Sequence, residues 1–323
     1  MSPPSSGGIT VASALGVLEN FDLSGYAPAN RENEGGRPAV LGVHLVSEAE
    51  RLAYADRDKY IADTDFVPLP GGSWNAMLDK NYLRSRASTI SFSRSMGTAV
   101  AGDLGPVPMG VDRTPESGTT HMTIVDREGN AVVMTTTVES TLGSFHMTQG
   151  FVLNNQLTDF SAAPTDASGN PIANRVAPGK RPRSSMAPTL VLEKAADGSR
   201  GSFLMGTGSP GGSTIIQYVL KTLVGVLDWR LDAQQATSLI DFGAANSATT
   251  NVGGEHPQIN AANNGNDDPL VIGLRNLAHT VSVAAQSSGI GTIIRTQLGG
   301  YSVLTGGADP RREGVVLGDT VRP

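Results

Sequence analysis

Apolar positions recur at helical spacing in three stretches. In Ile9–Leu18, Val11, Leu15 and Leu18 share one face, which predicts a short helix after the turn-rich Pro3–Gly8. In Ala39–Ala62, Leu41, His44, Leu45, Ala49, Leu52, Ala53 and Ala55 predict a long helix ending near Tyr54-Ala55-Asp56-Arg57. Ile215, Ile216, Val219, Leu220, Leu223 and Val224 predict a third over Thr214–Leu227, and Asp232 with Gln235 makes a capping box for a further helix to Ile240. Strand signals lie between these helices. Gly118–Val138 reads as two β-branched strands joined at Asp126–Asn130, where Gly129-Asn130 suits a tight turn. Phe151–Phe160 reads as a buried strand with a polar end. Leu190–Leu192 and Ser202–Met205 read as strands, and Ile290–Leu304 as a hairpin. Asp63–Gly118 loosens into Pro, Gly and Ser around one helical piece at Met77–Arg84, whereas Phe242–Leu270 is rich in Asn, Gly and Ala. Ser161–Pro178 is a loop long enough to be a lid or a disordered segment. Helices and strands in this mixture give an α+β chain.

With an apolar share of 39%, the 323 residues suffice for a real core in one large or two smaller domains. A net charge of −6 without long runs gives no basic patch, which argues against nucleic acid or an anionic membrane as partner. The absence of cysteine excludes disulfides, zinc-thiolate sites and thiol nucleophiles. No apolar run approaches the length of a membrane span, and Met1–Gly8 lacks the pattern of a secretory signal.

Chemistry concentrates at four places. Six threonines crowd the Gly118–Val138 hairpin, and most are ordinary strand residues. Thr119 differs because it starts a strand just after a small residue. If the chain were cut before it, Thr119 would carry a hydroxyl nucleophile and a free α-amine able to serve as its base. Asn154-Asn155-Gln156 and Asp159 either cap turns or line a pocket. In Gly179–Thr189, the paired hydroxyls Ser184 and Ser185 beside basic residues suit a carboxylate guest, although a basic surface turn explains the run as well. Gly206–Ser213, between a strand and a helix, leaves backbone N–H groups for negative charge. It lacks the spacing of a phosphate loop, and Gly211-Gly212 fits an oxyanion hole. His44 reads as a packing histidine, with no second histidine or carboxylate at metal-ligand spacing. Asp56 and Arg57 read as a solvated helix end or as partners of distant groups.

Taken together, Thr119-Thr120-His121, Asn154-Asn155-Gln156 with Asp159-Phe160-Ser161, Gly179-Lys180-Arg181-Pro182 with Ser184-Ser185-Met186, and Gly208-Ser209-Pro210-Gly211-Gly212-Ser213 resemble γ-glutamyltranspeptidases in order and spacing. Pro3–Gly8, Ala53–Arg57 and Asp309-Pro310-Arg311 extend the likeness over nearly the whole chain. The resemblance implies an N-terminal-nucleophile hydrolase with an αββα sandwich, made as a precursor that cuts itself before Thr119. Residues 1–118 would be the end of a large subunit and 119–323 the small subunit. Thr119 would be the nucleophile, Thr137 would orient its hydroxyl, and Gly211 and Gly212 would bind the oxyanion. Gln156 and Asp159 would hold the α-amino group of a γ-glutamyl substrate such as glutathione, and Ser184 and Ser185 its α-carboxylate. Water or an amino acid would accept the acyl group, with no cofactor and no metal. Two departures matter. Glu139 stands where bacterial members carry Asn near the substrate amino group. The chain also begins inside the family pattern, without the upstream Arg that clamps the carboxylate, as an N-terminally truncated sandwich would. A related acylase, for instance on a cephalosporin side chain, and an inactive remnant are the alternatives. The resemblance suggests a periplasmic or extracellular protein.

Overall fold

The computed structural model describes residues 1–31, 36–105, 109–112, 114–116 and 118–318. Helix α1 (Gly7–Leu18) packs across α2 (Val40–Tyr60), as their apolar spacing predicts, and α3 (Lys80–Ala87) closes over α1. Asp79 caps α3 by accepting from the Asn81 and Tyr82 N–H groups. The sharp stop of α2 is not a solvated end: Asp56 and Arg57 are both buried, because loops from distant parts of the chain fold over them.

Next come strands β1 (Thr120–Val125) and β2 (Ala131–Thr136), antiparallel with Thr120 opposite Thr136 and Val125 opposite Ala131. The turn forms as expected, with Gly129 at φ 86° and Asp126 Oδ1 accepting from the Asn130 N–H at 2.8 Å. Phe151–Phe160 departs from expectation. Only β4 (Phe151–Val152) pairs, with β3 (Met147–Thr148), and Gln156–Asp159 is a 3-10 turn. Phe151, Leu153 and Leu157 are exposed, so there is no apolar face to bury a longer strand. Ser161–Pro178 is pinned by β-bridges from Ile172 to Gly110 and from Thr165 to Pro171, with Ala173 and Asn174 buried.

Strands β5 (Thr189–Lys194) and β6 (Arg200–Gly208), helices α4 (Ile215–Leu227) and α5 (Ala233–Ser238), and strands β7 (Phe242–Gly243) and β8 (Thr249–Gly253) follow. Helix α6 (Pro269–Asn276) and strands β9 (Thr280–Ala284), β10 (Gly291–Leu298) and β11 (Tyr301–Ala308) complete the chain. The main sheet runs β11-β10-β6-β5, and a smaller one β7-β8-β9. The Asn- and Gly-rich Phe242–Leu270 therefore contributes strands, which its composition had hidden. The capping box on α5 is present, Asp232 accepting from the Gln235 N–H and Gln235 from the Asp232 N–H.

Helices α4 and α5 cover one face of the main sheet and the β1-β2 hairpin the other. Glycines set how closely the hairpin approaches: a Cβ on Gly208 would lie 2.3 Å from the His121 ring, and one on Gly206 would lie 2.9 Å from Thr123 Cγ2. Side chains there would lift the hairpin off the sheet. The core under the sheet holds the six predicted apolar residues of α4, all buried, each contributing about 2 kcal/mol. Helix, sheet and hairpin are three successive layers of an αββα sandwich. The hairpin's outer face, with Met122 opposite Met134 and Ile124 opposite Val132, is exposed.

Candidate active site

Local backbone geometry singles out the Gly118-Thr119 junction. Gly118 has φ 85°, Thr119 φ 108° and, facing them, Glu139 φ 72°. A β-branched residue at such a φ stores about 1–3 kcal/mol, and strain of this kind persists only where the surroundings enforce it. Gly118 cannot be otherwise, since a Cβ there would lie 1.6 Å from the Glu139 carbonyl oxygen. The hairpin holds Thr119 one residue before β1 and Thr137 one residue after β2, so both line one cavity of about 550 Å³ with Glu139, Ser140 and Arg312. Thr137 Oγ1 accepts from the Glu139 N–H at 2.7 Å, which leaves its O–H to donate.

The glycine turn meets this junction from the other side. The Gly211 N–H donates to the Gly118 carbonyl at 3.4 Å, the carbonyl of the bond preceding Thr119. Gly211 has φ 138°, and a Cβ on it would strike the Tyr218 ring at 2.5 Å, so glycine is required. Tyr54 on α2 braces the turn by donating to the Ser213 carbonyl at 2.5 Å.

Behind the junction lies a second polar group, outside the cavity lining. Ser184 and Ser185 are buried, not on a surface turn. The Ser184 hydroxyl bonds Ser5 at 2.8 Å, and Ser185 Oγ accepts from Arg57 Nη2 at 2.6 Å. Asp159, buried, accepts from Gln156 Nε2, while its Oδ1 has no partner among the described residues. Burial, then the negative charges of Glu116 and Glu139, push the Asp159 carboxyl up to about 8. Arg57 also pairs with Glu116 Oε1 at 2.5 Å and Asp58 Oδ1 at 2.9 Å. Burial works against its charge, but the Glu116 and Asp58 carboxylates hold the guanidinium above its ordinary value. Sequence reasoning left Arg57 undecided and missed Glu116; no local pattern marks a contact spanning 128 residues to Ser185.

Two histidines near these elements are otherwise engaged. His121 faces the main sheet between Thr135 Oγ1 at 2.8 Å and Thr123 Oγ1 at 3.0 Å, and burial lowers it to about 4. His44, expected to lack ligand-spaced neighbours, has Glu48 one turn on and His279 from a distant strand end. Donors and acceptors nevertheless account for every atom. Arg51 donates to Thr250 (2.8 Å), which donates to His279 Nδ1 (2.7 Å); His279 Nε2 donates to His44 Nδ1 (2.7 Å), and His44 Nε2 to the Ser91 carbonyl (2.7 Å). Glu48 is taken by Arg51, Ser95 and the Met96 N–H. Both rings sit in a continuous chain of hydrogen bonds, which makes a packing network, as His44 was read.

Comparisons with known proteins agree with the motifs. The family model described as Gamma-glutamyltranspeptidase matches residues 1–319. The glutathione hydrolase proenzyme of Escherichia coli (strain K12) is 38% identical over 250 residues, 75% of this chain and 39% of that protein. That of Bacillus subtilis (strain 168) is 35% identical over 246 residues, 72% of this chain and 38% of that protein. The chain thus spans about two-fifths of the length of these relatives. Among solved structures, cephalosporin acylase from Bacillus halodurans shares the fold, with TM-score 0.73 and 19% identity, over 98% of this chain and 50% of that one. Gamma-glutamyltranspeptidase from Pseudomonas nitroreducens covers 62% of this chain at 28% identity and TM-score 0.50, over 100% of its own. The match across almost every residue means that this chain belongs to the gamma-glutamyltranspeptidase family.

Proposed function

We propose that the chain cuts its own backbone between Gly118 and Thr119 and that Thr119, as a new N-terminus, then attacks γ-glutamyl amides such as glutathione. The Gly211 N–H aimed at the Gly118 carbonyl carries this reading. On this reading Gly211 would be the oxyanion donor for the bond that breaks, and the left-handed φ of Thr119 supports release of that bond. In the first stage Thr119 Oγ1 adds to the Gly118 carbonyl carbon and its proton passes to the departing Thr119 nitrogen. Water then hydrolyses the resulting ester, leaving a Gly118 carboxylate, a restored hydroxyl and a free α-amine. In the second stage that amine takes the hydroxyl proton as Oγ1 attacks the γ-amide, and the leaving amine receives it. Gly211 and Gly212 hold the oxyanion, and Thr137 orients Oγ1. The acyl ester on Thr119 passes to water or to an amino acid.

Asp159 and Gln156 hold the substrate ammonium in this reading, which gives the unpartnered Oδ1 of Asp159 its ligand. Ser185, with Ser184 behind it, serves the α-carboxylate, and Glu139, which lines the cavity, stands near the substrate amino group. Residues 1–118 and 119–323 become the two subunits. The test is release of amine from a γ-glutamyl anilide by the incubated chain. The Thr119→Ala variant is expected to release none and to stay in one piece; turnover equal to the unaltered chain would refute the role. Preference for a cephalosporin side-chain amide over the anilide would move the substrate assignment to an acylase.

A further inference from the structure

Two consecutive arginines after β11 are used differently. Arg311 is engaged inside the protein, with Glu255 Oε1 at 2.5 Å, Asp309 Oδ1 at 3.0 Å and Asp241 Oδ2 at 3.2 Å. Arg312 is exposed and has no carboxylate partner among the described residues, yet it is held in place. Its Nε and Nη2 donate to the Ser287 carbonyl at 3.0 and 2.8 Å. Its stem lies in a slot beside Pro210: a Cβ on Gly289 would come within 2.7 Å of both Arg312 Cδ and Pro210 Cγ. With one edge of the guanidinium taken by Ser287, Nη1 and the remaining Nη2 hydrogen are left to donate elsewhere.

This guanidinium lines the cavity that holds Thr119 and Thr137. A smaller cavity of about 250 Å³ shares Thr120 and Arg312 with it and reaches Gly289 and Pro210, the neighbour of Gly211. Glu139 lines only the larger cavity. The smaller one has two acids. Asp309 is buried and taken by Ser288, the Ile290 N–H and Arg311. Glu313 is exposed, where water and salt screen it. Acids therefore stand where the substrate ammonium is read, and an unengaged cation stands where the cavity continues past the glycine turn.

We propose that Arg312 holds a carboxylate carried by the leaving group, or by the amine that accepts the acyl group, and so selects peptides and amino acids over neutral amines. The proposal rests on the reading of Thr119 as nucleophile and adds a carboxylate contact on the other side of the scissile bond from Ser185. With the acyl group's ammonium toward Glu139 and Asp159, the departing amine lies toward the smaller cavity. Glutathione would release there a dipeptide that ends in a carboxylate. A guanidinium fixed along one edge presents its other N–H groups as a fork, which a carboxylate meets side-on. Because Arg312 is exposed, the contact weakens with salt.

The experiment compares two γ-glutamyl anilides, one plain and one bearing a carboxylate on the ring, as substrates of the incubated chain, Arg312→Ala and Arg312→Gln, with circular dichroism to confirm folding. The unaltered chain is expected to favour the carboxylated anilide in kcat/KM, and less so as salt is raised. Both variants are expected to lower the ratio of the two kcat/KM values about fivefold. An arginine that only supports the fold would lower both values together and leave their ratio unchanged, which would overturn the proposal. Unfolding of both variants would overturn it too, since a group free to hold ligand is not needed for the fold. Ligand-observed NMR with glycylglycine and its C-terminal amide needs no turnover: the unaltered chain is expected to prefer the dipeptide, and Arg312→Ala to lose that preference. If no anilide is cleaved but this preference appears, the Arg312 site stands and the hydrolase reading falls. If anilides are cleaved with the same ratio in Arg312→Ala, the hydrolase reading stands and the Arg312 site falls. A chain that cleaves neither anilide and binds dipeptide and amide alike overturns the proposal.

Discussion

Replacing Asp159 by Asn tests the electrostatics of the site without needing turnover. With a native value of about 8, against an unfolded value near ~4, Asp159 binds one more proton in the native than in the unfolded chain across that window. Its contribution is fully present below about pH 4 and is lost as pH rises through about 8, at about 1.4 kcal/mol per pH unit. From pH 5 to pH 8 the loss sums to roughly 3–4 kcal/mol. Histidines act with the opposite sign: His279, lowered to about 3 by burial and then by Arg51, and His121, at about 4, favour the fold as pH rises through the histidine range. Comparing variant with parent cancels them. In the Thr119→Ala background, urea unfolding at pH 5, 6, 7 and 8 is expected to show the stability of Asp159→Asn relative to its parent rising by roughly 3–4 kcal/mol between pH 5 and pH 8. A variant that tracks its parent at every pH would refute the argument that Asp159 is buried as a neutral acid among Glu116 and Glu139.

Three further outcomes are expected. Glu50, fully buried, is pushed up to about 8 by burial, against the Ala244 N–H and Arg51, so Glu50→Gln should flatten the pH dependence of urea stability over the same range, independently of Asp159. Gly118→Ala must open the contact with the Glu139 carbonyl; gel analysis should show no cleavage, and thermal unfolding should show a loss of at least about 1–3 kcal/mol from the φ alone. Tyr54→Phe strips a buried donor from the Ser213 carbonyl, which should cost about 1–3 kcal/mol in urea unfolding and slow the appearance of fragments on a gel.

Legibility in the sequence followed the range of the interactions. The β1-β2 hairpin was readable because its β-branched residues and the Asp126–Asn130 turn act within a few residues of each other, and α2 and α4 because each carries its apolar stripe within one helix. The exposed Phe151 and Leu157 misled, since apolar composition alone cannot say whether a partner surface exists. The strands in Phe242–Leu270 were hidden because β8 pairs in parallel with β9, whose residues lie outside that segment. At the candidate site, Thr119 and the Gly211 turn could be singled out from their local sequence, and Thr137 through the family resemblance. The Arg57–Glu116–Ser185 cluster and the His44–His279 pair were not, for each joins helix α2 to chain far along the sequence, and only the fold brings them together.

The strained peptide at Gly118-Thr119, with the Gly211 N–H on its carbonyl, is proposed as the bond this chain breaks. Intact-mass spectrometry of the incubated chain with N-terminal residue determination tests it directly. Two fragments, one beginning at Thr119, are expected, and a single uncut species for Thr119→Ala. A chain that remains whole after prolonged incubation, or one that yields the same fragments without the Thr119 hydroxyl, would contradict it.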